Sequence, residues 1–264
     1  MLTLRQLTTV AIATTSILIQ SLSSINIPVD RAFKSVLIAL SFATPALADT
    51  PSKAKPAAFR YVPPKRGNPK STQATGSRGC NQVQQSPVSL TLLVPQDGDG
   101  LTTSGHPTFF WHVSAPVQMA FTLTQPGVVQ PLWEQQIQPP AAGIVQLQMP
   151  NNLPELLPGK EYRWSVTLLC NRERPSANPF IQTWIERIPT TPSLTQQLAA
   201  APTDRDRASI YAEAGLWYDA LAAISAAHTA NPKDISILEE RLLLLESVGL
   251  NRVAAQERQS LARQ

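Results

Sequence analysis

From Ser86 to Pro189 short apolar runs recur between turn-forming residues. After Pro192 the apolar spacing changes to that of helices. The runs are Val88–Val94, Thr108–Ser114, Val117–Thr124, Val129–Ile137, Gly143–Met149, Lys160–Asn171 and Phe180–Ile188. Alternation assigns faces: Phe109, Trp111 and Val113 share one side of their run, as do Met119, Phe121 and Leu123. Tyr162, Trp164, Val166 and Leu168 face inward, with Arg163, Ser165 and Thr167 outward. Seven short strands without intervening helices predict an all-β sandwich over residues 79–190.

Leu157-Pro158-Gly159-Lys160-Glu161-Tyr162 resembles the corner that opens the sixth strand of fibronectin type III and immunoglobulin-like domains, where a tyrosine hydroxyl bonds back to upstream backbone, and the resemblance implies a sandwich of that kind. In that topology the first strand begins and the sixth ends at the same pole. Cys80 and Cys170, the two cysteines, fall at those points and are expected to pair. A reactive or metal-binding thiol is the alternative, and it lacks a nearby His or acidic cluster.

Residues 193–264 are rich in Ala, Leu, Glu and Arg and predict a helical tail. Tyr211, Gly215, Trp217, Ala220, Ile224, Ala227 and Pro232 stand at the spacings of a tetratricopeptide repeat. Gly249, Leu250 and Ala254 echo Gly215, Leu216 and Ala220 after 34 residues. A plain helical hairpin is the alternative. Two repeats cannot bury a continuous core, so Leu216, Trp217, Leu242 and Leu245 need cover, from the sandwich or from a partner. The short connection from Pro189 to Pro192 favours the sandwich.

Two apolar stretches near the N-terminus lie outside any globular core. The segment Ser35–Ala48, preceded by Arg31 and Lys34 and closed by Ala46-Leu47-Ala48, reads as an export signal with cleavage expected after Ala48 and an uncleaved anchor as the alternative. Residues 1–48 are therefore read as a signal peptide, with 1–28 placed upstream of the true start or, alternatively, as an unusually long leader. Residues 49–78 are a basic, proline-rich linker with little to bury, expected to stay extended or disordered as a solvated spacer, with electrostatic attachment to an anionic surface such as cell-wall polymer or lipid headgroups as the other reading. After cleavage no integral membrane protein is expected, and the compartment is extracytoplasmic, periplasmic or secreted.

A net charge of +4 without basic patches interleaved with aromatics argues against nucleic acid. His106, His112 and His228 have no sequence neighbours that make a metal pair or a Ser-His-Asp set; His112 is expected on an outward strand face. Asp97 and Asp99, in Asp97-Gly98-Asp99-Gly100, form a weak Ca²⁺ candidate that a plain turn explains equally well. No metal or cofactor is expected. Trp133 and Trp184 are candidate sugar-stacking residues, with edge packing as the alternative. Glu134, Glu161 and Glu186 are scattered in the sequence and single out no glycosidase pair, since their separation depends on the fold; a hydrolase with a diffuse carboxylate site stays open as a third, unsupported reading.

Arg78-Gly79-Cys80, Pro107–Trp111, Gly143–Pro150, Tyr162-Arg163-Trp164 through Cys170-Asn171 and Tyr211–Leu221 occur in an order similar to the cyanobacterial domain of unknown function 928. That resemblance spans about Arg78 to Leu250, implies an extracytoplasmic protein and supplies no catalytic residues. The expected function is non-catalytic: binding or scaffolding in the cell envelope through an unknown protein partner. A carbohydrate- or cell-wall-binding module using Trp133 and Trp184 is the alternative.

Overall fold

The computed structural model describes residues 59–65, 72–75, 88–96 and 100–261. The segment expected to be a signal peptide, with its start and cleavage point, Cys80, Asp97 and Asp99 lie outside the described residues. The strands are β1 (Gln73–Thr75), β2 (Leu90–Leu92), β3 (Gly100–Thr102), β4 (Thr108–Val113), β5 (Met119–Thr124), β6 (Trp133–Ile137), β7 (Gly143–Gln148), β8 (Lys160–Leu168) and β9 (Phe180–Arg187). The helices are α1 (Pro192–Ala200), α2 (Asp204–Glu213), α3 (Trp217–Ala230), α4 (Ile235–Ser247) and α5 (Asn251–Leu261).

The strands make a β-sandwich. One sheet runs β1-β9-β8-β5-β6, with β3 added parallel to β9; the other runs β2-β4-β7. Alternation places Phe109, Trp111 and Val113 of β4 opposite Phe121 and Leu123 of β5 and Trp164 and Val166 of β8, and all are buried. The aromatic rings interlock: Phe109 lies 4.8 Å from Phe121 and 5.2 Å from Trp164, in tilted pairs that avoid face-to-face repulsion. The corner before β8 closes as its sequence predicts: the Leu157 amide donates to the Tyr162 hydroxyl at 2.8 Å.

Two elements depart from the sequence reading. β3 lies in a Gly-rich stretch too short to show alternation, and its pairing comes from β9 alone. The segment read as a solvated linker is partly structured: β1 pairs with β9, and Tyr61 is buried. Tyr61 packs edge-on against Trp217 at 5.2 Å and donates to the Gly215 carbonyl at 3.3 Å; the Val62 amide donates to the Ala212 carbonyl. A proline-rich strap can stay extended and still bury one large ring when a helical hairpin supplies the socket.

The tail is not a separate body. Trp217, Tyr218, Ala220, Leu221, Leu242 and Leu245 belong to the same buried cluster as the sandwich core. Helix α3 covers the outer side of β4, so Thr108, Phe110 and His112 are buried as well as the inward-facing residues. His112 thus sits on the outward face but not in solvent, and burial lowers its pKa. Helix starts carry side-chain caps at Thr191 and Asp234, and Thr203 with Asp206 forms a capping box. Among the described residues no helix is long and apolar enough to cross a membrane.

Candidate functional site

The seam between sandwich and tail is built by β3 and the turn that follows it. Gly100 has to be glycine for packing reasons: a Cβ there would stand 2.4 Å from Cε2 of Tyr218. The Tyr218 ring consequently enters the sandwich, 6.0 Å from Phe109. Its hydroxyl accepts from the Trp164 indole at 2.7 Å and donates to the Trp184 carbonyl at 3.3 Å.

One residue further along α3, Asp219 is buried against the same turn. Its carboxylate accepts from the Thr103 amide at 2.8 Å, the Thr102 hydroxyl at 3.2 Å and the Thr103 hydroxyl at 3.5 Å. Burial outweighs these bonds and pushes its pKa up to about 6. From the other side Arg187 holds the turn, donating to the Thr103 carbonyl at 3.2 Å, to Glu155 at 2.7 Å and to the Leu156 carbonyl. The Arg187 hydrogen bond keeps the Glu155 carboxyl below the usual range.

Beside this seam opens a cleft of about 370 Å³, walled by both halves of the molecule. The sandwich contributes Ser104, His106, Thr108, Gln146 and Gln148; the helices contribute Asp204, Arg207, Tyr211, Asp219 and the small residues Ala222, Ala223 and Ala226. His106 is tied down, its Nε2–H donating to the Leu153 carbonyl at 2.9 Å. Arg207 is paired with Asp204 at 2.9 Å. Burial raises the Tyr211 hydroxyl pKa, with Asp219 adding to the effect.

Of the residues singled out in the sequence, few lie here. Trp133 is buried against Phe109 and Phe121 in the sandwich core, so its ring offers no open sugar platform. Trp184 is half-buried with the Arg163 guanidinium 5.3 Å from its ring centre. Leu216, Trp217, Leu242 and Leu245 are buried, so they form core rather than an open interaction face. The Trp217 indole donates to the Leu93 carbonyl of the sandwich at 2.7 Å. Cys170 is half-buried beside the end of β8, and no described cysteine is free. Among the described residues no three His, Cys, Asp or Glu side chains gather as a metal set. Sequence pattern misses the cleft residues because they come from distant segments; the polar run Thr102-Thr103-Ser104 is the one local signal.

Among the described residues, a two-sheet β-sandwich carrying five C-terminal helices, of which α2 to α5 bury side chains in its core, defines the class of this protein. The chain belongs to the family Domain of Unknown Function (DUF928), whose model matches residues 73–258. Comparison with curated proteins gave no match. Among solved structures, a DUF3244 family protein with an immunoglobulin-like β-sandwich from Bacteroides vulgatus is similar at 12% identity. The match covers 37% of this chain and 91% of that one, with a TM-score of 0.22. A multi-domain immunophilin from Arabidopsis thaliana matches at 10% identity over 73% of this chain and 98% of that one, also with a TM-score of 0.22. Neither likeness carries a functional argument.

Proposed function

We propose that this chain is an exported, non-catalytic binding protein of the cell envelope, and that it binds its ligand in the cleft between sandwich and tail. The supporting observation is the double wall of that cleft. Sandwich and helices both line it, and the Asp219 clasp fixes one against the other. A preformed concavity of that size falls within the roughly 300–1,000 Å³ range of ligand pockets. The reading as a binder rests on how the titratable groups are engaged: Asp219 accepts three bonds, His106 is tied to Leu153, and Arg207 is tied to Asp204.

A second reading, a scaffold for an envelope protein, draws on helix α4. There Ile235 is 72% exposed and Leu243 45% exposed, beside the exposed charges of a tail with tetratricopeptide-like spacing.

The two readings separate in one experiment. The mature chain is exported with a tag, and its retention by isolated envelope is measured for Ala226→Arg, which fills the cleft, and for Ile235→Ser/Leu243→Ser. Loss of retention with Ala226→Arg alone supports the cleft. Loss with the α4 pair alone supports the scaffold. Retention that neither variant changes rejects both.

A further inference from the structure

We infer that the cleft is a subsite for a neutral, hydroxyl-rich ligand, a sugar unit of an envelope or extracellular glycan; this rests on the reading that the cleft binds a ligand. The arginine lining it is already paired. Asp204 and Arg207 pair at 2.9 Å, and Asp219 is held by Thr102 and Thr103. An anionic ligand entering here meets no unpaired cation, a cationic one reaches Asp219 only where that carboxylate is already buried against Thr102 and Thr103, and either has to give up its hydration, which is costly. A purely apolar ligand has to strip water from amides and hydroxyls without replacing those bonds, which is also costly.

What remains at the opening suits vicinal hydroxyls. Gln146 and Gln148 stand two apart on β7, so their exposed amides project from one face of the strand. Each amide offers an acceptor and two donors in one plane, which can engage adjacent hydroxyls together. Across the cleft Tyr211 contributes a half-buried ring, a surface against which the C–H face of a pyranose can pack. Ala222 and Ala223 keep the helix wall low, leaving room for a ring. The site is distinct from Trp184, whose ring already carries Arg163.

The test uses the full mature chain with three neutral probes, cellotriose, maltotriose and chitotriose, and one anionic probe, trigalacturonate. Binding is followed by titration calorimetry and by shifts of side-chain amide resonances. The expected result is binding of at least one neutral probe, weakened tenfold or more in Gln146→Ala/Gln148→Ala and in Ala226→Arg, and unchanged in Trp184→Phe. Binding of trigalacturonate alone, neutral binding that survives both cleft variants, or no binding of any neutral probe overturns the inference. If no trisaccharide binds while Ala226→Arg still abolishes envelope retention, the sugar class falls and the cleft reading stands.

Discussion

The Trp164 indole donates to the Tyr218 hydroxyl at 2.7 Å, and that bond joins the centre of the sandwich to the start of the tail's second hairpin helix. Both side chains are buried, so the donor has no access to water if its partner is removed. Tyr218→Phe keeps the ring and leaves the indole N–H unpaired, at a cost of about 1–3 kcal/mol. Denaturant unfolding of Tyr218→Phe, Trp164→Phe and the double variant should show coupling between the two positions, because the second change removes a group already orphaned by the first. Additive losses would mean that the bond does not link the two halves.

Gly215 and Gly249 end α2 and α4 in the same way, with φ of +74° and +85°. In each case the following leucine amide reaches back five residues, Leu216 to Tyr211 and Leu250 to Leu245, at 2.9 and 3.0 Å. An L-residue in that conformation costs about 1–2 kcal/mol, so alanine should destabilise at either site. Gly215→Ala should cost more. Its Cβ would lie 3.0 Å from the Val62 carbonyl, a backbone atom, whereas at Gly249 the nearest neighbour is the Gln96 side chain at 3.5 Å. Thermal melts of the two single variants give the ranking.

Stability should also carry the titration of Asp219. Its folded-state pKa is raised to about 6 from 3.8, so folding favours the protonated carboxyl. The stabilisation is present at acid pH and is lost as pH rises through about 6, by an amount on the order of 3 kcal/mol. His112 and His228 are lowered by burial and act in the opposite sense as pH falls, so the measurement is the difference between wild type and Asp219→Asn. That difference should move in favour of the variant between about pH 4 and pH 7. A difference independent of pH would show that Asp219 does not titrate there.

Export and the cysteine pair are tested together. N-terminal sequencing of the exported protein should begin at Asp49, and non-reducing peptide mapping should find Cys80 bonded to Cys170. A loop of about 90 residues closed in this way contributes up to ~4 kcal/mol on the chain-entropy model. Reduction should therefore lower the denaturation midpoint, and two free thiols in the exported protein would reject the pairing.

Much of this architecture is written locally. The alternation of Phe109, Trp111 and Val113, and of Tyr162, Trp164 and Val166, reports a pleat with one face buried, because successive side chains of a strand point to opposite sides. The corner at Tyr162 and the glycines at 215 and 249 are equally local, since each answers a backbone requirement within six residues. What the sequence by itself could not determine is everything that depends on which surfaces meet. Trp133 and His112 read as exposed or ambiguous from their strands alone. They are buried because Phe109 and Phe121 reach the one and helix α3 covers the face that carries the other. Tyr61 is isolated in a stretch of prolines and charges, and only the groove beside Trp217 and Gly215 gives it a place. The cleft is the extreme case: Gln146, Tyr211 and Asp219 share no period or motif, and their proximity exists only once the helices have docked. Periodicity records how a segment buries its own faces, whereas a site assembled from several segments is specified by packing.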